Sequence, residues 1–147
     1  MSEAGRTTMG EAGRTTMGEA GRTAMSGTAG AKPEHEFHLP VAPWRRPPGA
    51  AAGVSEQILA ADGSGTHTTA LVRWEPGTDT SPSGVVRHDG WEEVYLLEGS
   101  MRDLTLGETF SRGFYACRPP GMPHGPWVSE EGVTMLVITY PDATAGR

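Results

Sequence analysis

Short stretches of alternating apolar and polar residues, separated by turns rich in glycine and proline, run through most of the chain. Residues 66–75 show the alternation clearly, because Leu71, Arg73 and Glu75 lie opposite Val72 and Trp74. Period-two alternation is typical of half-buried β-strands, and no segment carries a long apolar repeat of helical period. Turn signals recur about every 8–12 residues, a spacing typical of sandwiches and barrels. The pattern therefore predicts an all-β protein.

The same alternation predicts where the strands lie and which residues face inward. Side chains two positions apart share one face of a strand. If Glu92 points inward, Val94 and Leu96 line the core, while Glu93 and Tyr95 face outward. The first predicted segment, 54–60, fits either a strand or a turn of helix. The other predicted strands are residues 66–75, 85–88, 93–97, 101–106, 113–118, 124–128 and 133–140.

The first 26 residues repeat a polar octapeptide, EAGRTTMG, twice in identical form and once as EAGRTAMS. Methionine is its only large apolar residue, so the segment cannot bury a core and is expected to be disordered. A tandem duplication near the start codon explains the repeat without a function, and weak partner binding is the alternative. The expected organisation is a disordered repeat tail at 1–32, one barrel domain at 33–141 and a short C-terminal tail at 142–147.

Composition limits the partners and the location of the protein. A net charge of −6 at pH 7 and an isoelectric point of 5.3 disfavour binding to the phosphate backbone of nucleic acids. No apolar run reaches the roughly 18 residues of a membrane span, and the N-terminus lacks the apolar stretch of a secretory signal. Cys117 is the single cysteine, so no internal disulfide can form. These points predict a cytoplasmic protein that contacts neither nucleic acid nor membrane.

Two histidines and a carboxylate form the main candidate for chemistry. His88 precedes Glu92 by four residues at the head of a predicted strand, and His124 follows a Pro-Gly turn at the start of another. Imidazole and carboxylate ligands suit a divalent first-row ion such as Fe, Mn, Ni or Zn. Three protein ligands leave further coordination positions of that ion open. The alternative is a surface histidine beside a solvated acidic pair, with His124 as a loop residue.

The segments around these residues resemble the two motifs of the cupins, which run G-x5-H-x-H-x3-E-x6-G and G-x5-P-x-G-x2-H-x3-N. The matching residues are His88, Glu92 and Gly99 in the first motif, and Gly113, Pro119, Gly121 and His124 in the second. The resemblance covers about residues 44–140 and implies a double-stranded β-helix, the jelly-roll barrel. Residues 92–99 and 118–121 are also similar to the cupin domains of zinc-binding anti-sigma factors and of acetylacetone-dioxygenase-like proteins.

The chain departs from the cupin motifs at two positions, of which only the first is a metal-ligand position. Val86 stands where the first histidine is expected, and Val128 stands where the second motif has asparagine. His88, Glu92 and His124 are therefore one ligand short of the usual four. Three explanations stay open. The metal is held by three ligands and more water, or a fourth ligand comes from Glu93, His67 or Cys117, or the barrel has lost its metal and is a plain binding pocket.

The pocket residues expected from this arrangement are Val86, Arg118 and Trp127. Val86 would form part of an apolar wall. Arg118 would face substrate anions or form an external salt bridge, and Trp127 would shape the mouth of the barrel or cover its rim. Cys117 is interpreted as a small buried apolar residue rather than as a nucleophile.

The resemblance implies a metal-dependent enzyme that acts on a small organic molecule. Dioxygenase-like chemistry ranks first, because two histidines and one carboxylate leave room for O₂ and substrate together. Isomerase, cyclase and decarboxylase chemistry are further options. Two other classes stay open, namely a non-catalytic metal or ligand sensor and a metal-free binding barrel. Because cupins commonly pair through their sheets, the resemblance also implies a homodimer.

Overall fold

Antiparallel β-strands form nearly all the regular structure of residues 31–144, the residues that the computed structural model describes. The all-β prediction is confirmed. The repeat tail falls almost wholly outside the described residues, as do residues 145–147. The elements are β1 (Val54–Ala61), β2 (Thr68–Trp74), β3 (Thr78–Asp79), a 3₁₀ turn (Ser81–Ser83), β4 (Trp91–Asp103), β5 (Thr109–Ser111), β6 (Tyr115–Arg118), β7 (Trp127–Ser129) and β8 (Val133–Tyr140).

The long strand β4 joins the two halves of the barrel. The strands follow the order β1-β2-β8-β4-β7-β3, and β5 and β6 also pair with β4. The first part of β4 pairs with β8 and β6, whereas its last four residues, 100–103, pair with β5 and β7. One strand thus passes from one layer of the barrel to the other, and the sheet curls around a shared interior.

A bend at Gly99 lets β4 change layers. The sequence predicted two strands, 93–97 and 101–106, with a turn between them, but the structure has one strand of 13 residues. The register against β8 shifts between Leu96 and Glu98, and Gly99 has a positive φ of 74°. A bulge with a glycine in this conformation bends a strand without ending it. The turn signal in the sequence was therefore a bend within a continuous strand.

The segments that carry the two histidines are less regular than predicted. The predicted strand at 85–88 is reduced to an isolated bridge between Val86 and His124. The predicted strand at 124–128 begins only at Trp127. Pro123 and Pro126 explain this irregularity, because proline lacks the N–H group that a continuous ladder needs.

The core lies between the two layers and is built from alternate residues of the strands. Val94 and Leu96 of β4 are buried while Tyr95 between them is 44% exposed, as the alternation predicted. Trp74 and Trp127 pack with ring centroids 6.3 Å apart. The inward face of β4 thus leads from the core towards Glu92. Within residues 31–144, no helix is long and apolar enough to cross a membrane.

Candidate metal centre

The ring nitrogens of two histidines and a carboxylate meet at one end of the barrel. His88 Nε2 lies 3.1 Å from Glu92 Oε2 and 3.1 Å from His124 Nε2. His124 Nε2 lies 3.6 Å from Glu92 Oε1. One ligand atom from each residue lies within 4.8 Å of the others. The structure therefore brings together all three residues that the sequence singled out as ligands.

Backbone hydrogen bonds between two loops hold the histidines at this distance. The N–H of Val86 donates to the carbonyl of His124 over 2.9 Å, and the N–H of His124 donates back to Val86 over 3.1 Å. The N–H of Gly121 donates to the carbonyl of His88 over 2.8 Å. The Pro-Gly turn before His124 is thus clamped against the segment that carries His88. Glu92 comes from β4 and shares the inward face of Val94.

His124 presents an unprotonated nitrogen to the centre. Its Nδ1 lies 2.9 Å from the carbonyl oxygen of Met122, which can only accept a hydrogen bond, so Nδ1 carries the proton. The lone pair is then on Nε2, which faces His88 and Glu92. Burial lowers the pKa of His124, because the charged imidazolium is poorly solvated there. The hydrogen bond to Met122 selects the tautomer with a free Nε2, and burial favours the neutral ring that a metal ligand requires.

Glu92 is the charged centre of the group. Burial pushes the pKa of Glu92 upward, but hydrogen bonds and charges from His88 and Arg118 outweigh it, so the pKa is lowered. The hydrogen bond to Glu92 raises the pKa of His88 against the opposing effect of burial. Arg118 Nη1 donates to Glu92 Oε1. Glu92 therefore stays ionised, with Arg118 on one oxygen and His88 beside the other.

The geometry and chemistry of these donors fit a divalent first-row metal ion. Two ligands bound to one ion at about 2.1 Å, with angles of about 90–110° between them, lie about 3.0–3.4 Å apart. The two contacts of His88 Nε2, 3.1 Å to His124 Nε2 and 3.1 Å to Glu92 Oε2, fall within that range, and His124 Nε2 lies 3.6 Å from the other carboxylate oxygen, Oε1. Arg118 can stay on Oε1 while Oε2 serves as ligand, since ligating carboxylates are usually hydrogen-bonded by a neighbouring group. Three ligands leave positions open.

The coupling of Glu92 and His88 predicts a pH dependence of stability in the metal-free protein. The lowered pKa of Glu92 contributes stability above its ordinary value of 4.5, which is lost as the pH falls through the folded pKa. The raised pKa of His88 contributes stability below its ordinary value of 6.5, which is lost as the pH rises through the folded pKa. The stabilisation by Glu92 should therefore be largest between about pH 4.5 and 6.5.

This expectation is tested by urea unfolding of the metal-free wild type and Glu92→Gln from pH 4 to pH 8. The difference in unfolding free energy between the wild type and Glu92→Gln should fall steeply as the pH drops below about 4.5. It should fall only in part on the alkaline side, because Arg118 stays charged and keeps its contact with Glu92. A difference that rises steadily to pH 8 would contradict the assignment of His88 as the titrating partner.

A cavity of about 550 Å³ opens beside the metal centre. Arg118, His124 and Trp127 line it, as the sequence predicted for the first and last of these. The apolar wall includes Val85 rather than Val86, which corrects the prediction. The reason is local, since Val86 is held in a backbone bridge with His124 after the irregular turn at Gly84. The cavity thus reaches the centre through His124 and Arg118.

The three residues considered as a fourth ligand lie apart from the cluster. Glu93 points to the opposite face of β4, where its carboxylate accepts hydrogen bonds from Tyr115 and Tyr140 over 2.7 and 2.9 Å. Cys117 is paired with Glu93 in the sheet and is exposed, so its interpretation as a buried apolar residue is wrong. His67 lies just before β2 in the loop after β1. Within residues 31–144, the cluster consists of His88, Glu92 and His124 alone.

Several apolar residues of the cavity wall were not predicted from the sequence. Phe110 lies on β5, a strand that was not predicted, and Phe114 lies in the turn before β6. Their rings are 5.5 Å apart in an edge-to-face arrangement. Met122 also lines the cavity. The position of Met122 two residues before His124 was the one sequence signal that pointed towards the site. Strand β5, which carries Phe110, is too short to show a pattern of alternation.

A curled antiparallel barrel that carries a His-Glu-His cluster beside an apolar cavity defines a protein of the cupin class. Residues 32–142 match the family model described as the ChrR cupin-like domain, and the chain belongs to that family. The resemblance stated from the motifs is thereby confirmed. A search of the curated proteins found no match.

Solved structures share the fold at low sequence identity. An RmlC-like cupin from Shewanella frigidimarina is 17% identical with a TM-score of 0.59, covering 77% of this chain and 96% of that one. An acetylacetone dioxygenase from Acinetobacter johnsonii is 18% identical with a TM-score of 0.58, covering 74% of each chain. The anti-sigma factor ChrR in complex with SigE from Rhodobacter sphaeroides is 24% identical with a TM-score of 0.51, covering 69% of this chain and 51% of that one.

Proposed function

We propose that the protein is a metal-dependent cupin enzyme that acts on a small organic molecule, with oxygen-dependent cleavage as the first-ranked reaction. The observation that carries this proposal is the three-donor cluster beside a large apolar cavity. Catalytic metal sites keep positions open for water or substrate, whereas structural sites are closed by four protein ligands. Fe, Mn, Ni and Zn are the candidate ions for these donors.

In this proposal the cluster residues bind the metal ion and the cavity wall binds the substrate. His88 and His124 would hold the ion as neutral imidazoles, with Glu92 as the anionic ligand and Arg118 fixing the orientation of its carboxylate. The bound ion would supply Lewis-acid or redox chemistry to an oxygen-bearing substrate. The apolar cavity wall would exclude water and hold the body of the substrate against His124. A substrate with a 1,3-dicarbonyl, enol or hydroxyacid group could chelate the open positions.

The likeness to an acetylacetone dioxygenase supports cleavage of a dicarbonyl compound with O₂, although it rests on the fold alone. Isomerase, cyclase and decarboxylase chemistry would use the same ligands and the same cavity. The cupin fold hosts many reactions, so the site rather than the fold must decide between them.

A second candidate function is a metal or ligand sensor without turnover. The family description and the likeness to the anti-sigma factor ChrR favour it. In a metal sensor we expect the protein to fill the coordination sphere of the metal, whereas in an enzyme we expect coordination positions that exchange water for substrate. The three donors of the described residues support the enzyme more strongly than the sensor.

The proposal predicts that untagged protein contains about one equivalent of metal and consumes O₂ when given a 1,3-diketone such as pentane-2,4-dione. Elemental analysis measures the metal, and an oxygen electrode follows turnover of a diketone panel. Removal of the metal by chelation should abolish the reaction, and restoration of the metal should recover it. Stoichiometric zinc with no exchangeable position, together with no turnover, would favour the sensor. A wild type that binds no metal would exclude the metal-dependent enzyme and the metal sensor.

A further inference from the structure

Arg118 has hydrogen-bonding capacity that its contacts with the protein do not use. The side chain is 16% exposed, lines the cavity and donates from Nη1 to Glu92 Oε1. A guanidinium group carries five N–H donors in a planar fork and no acceptor. Within residues 31–144, Glu92 is the only acceptor that contacts this fork. No fully buried polar side-chain atom of the described residues lacks a partner, so the remaining nitrogens of Arg118 are not fully buried.

Trp127 and the backbone pairing of β6 fix the position of the fork on the cavity wall. Its central carbon lies 5.4 Å from the ring centroid of Trp127, a distance at which a cation is attracted to an aromatic face. The backbone of Arg118 pairs with Glu92 across β6 and β4. A guanidinium that is fixed in this way loses little freedom when it binds a ligand. The unused edge is therefore preorganised for a planar anion.

The rest of the cavity wall offers no competing cation. Among the lining residues Arg118 is the one arginine or lysine. The one acidic group on the wall, Asp103, accepts the backbone N–H groups of Thr105 and Leu106 over 2.8 and 2.9 Å. Most of the remaining wall is apolar, with Leu96, Met101 and Phe110 among its residues.

The charge balance beside the metal cluster also favours an anion. The charges of Glu92 and Arg118 cancel each other, so a bound divalent ion would leave this part of the site strongly positive. Opposite charges attract more strongly beside an apolar wall than in bulk water. The volume of about 550 Å³ falls within the range of about 300–1,000 Å³ that accommodates ligands larger than a simple diketone.

We propose that the cavity takes an organic anion with a carboxylate or enolate head and a bulky apolar body, and that Arg118 is the residue that selects for the charged head. This inference rests on the proposed role of the cavity as a substrate site. The head would accept N–H donors from the free edge of Arg118, next to the open metal positions. The apolar body would extend towards Phe110 and Phe114.

The test compares 4-phenylbutyrate with its neutral primary amide, two probes of nearly equal size. Each is titrated calorimetrically into the full-length wild type, Arg118→Met, Arg118→Lys and Arg112→Met, in metal-free and in zinc-loaded form. Arg112 is the matched control, because it is exposed and does not line the cavity. Hydrogen bonds to charged groups are worth about 1.5–3 kcal/mol, so the metal-free wild type should prefer the acid at least about tenfold.

We expect Arg118→Met to lose this preference, Arg118→Lys to keep part of it and Arg112→Met to keep all of it. A role of Arg118 confined to positioning Glu92 would change the affinity for acid and amide equally, and that result would overturn the proposal. An equal affinity of the metal-free wild type for both probes would overturn it even if Arg118→Met did not fold. The metal content of the wild type tests the proposed metal site separately, so the two failures are distinguishable.

Discussion

Replacement of His124 by alanine is expected to lower the affinity for the bound metal by more than about 100-fold. Loss of a residue that hydrogen-bonds to a metal ligand typically costs about 10–100-fold, and loss of the ligand itself should cost more. His124 is the most deeply buried of the three ligands, at 6% side-chain exposure, and its Nε2 lone pair faces both His88 and Glu92. The His124→Ala variant would keep only two donors for the same ion. Elemental analysis after dialysis and chelator competition would measure the loss.

The control for this variant is His67→Ala, which removes a histidine outside the cluster. It should bind metal as the wild type does. Circular dichroism should show that both variants keep the barrel, because a smaller side chain at position 124 leaves the backbone bridge to Val86 in place. Retention of the wild-type metal content by His124→Ala would refute the three-ligand centre.

Gly99→Ala should be the most damaging single methyl addition in the barrel, with a loss of at least about 4 kcal/mol of unfolding free energy. An added Cβ would lie 2.0 Å from the carbonyl oxygen of Gly132 and 2.9 Å from Val133 Cα. Both are backbone atoms of the segment that starts β8, so neither can move without disrupting the pairing with β4. The positive φ of 74° adds a conformational cost of about 1–2 kcal/mol.

Gly113→Ala separates the two contributions. Gly113 also has a positive φ, of 91°, but an added Cβ would meet nothing within 4 Å. Its loss should therefore be only the conformational cost of about 1–2 kcal/mol. Urea unfolding of both variants gives the difference, which measures the clash with Gly132. Equal losses in the two variants would show that the carbonyl of Gly132 does not lie against β4.

The cupin motifs predicted the candidate ligand set from the sequence alone, because each of its residues lies within a few positions of a turn whose glycine and proline spacing is fixed locally. The fourth-ligand question could not be settled in this way. Glu93 neighbours Glu92 in the chain, and only the direction of β4 shows that its carboxylate meets Tyr115 and Tyr140 on the other face. Alternation had favoured that direction. The turn signal at Asp89-Gly90 nevertheless left open which residues of β4 face inward.

The sequence by itself determined the all-β class, the inward direction of Val94 and Leu96, and the choice of His88, Glu92 and His124 as the candidate metal ligands. These properties depend on local alternation and on short-range turn chemistry. Only the tertiary structure decided that β4 is one bent strand, that Val85 rather than Val86 lines the cavity, and that Arg118 turns inward to Glu92. Each of these depends on contacts between segments far apart in the chain, such as Gly99 against Gly132 and β6 against β4. Spacing along one chain does not encode those approaches.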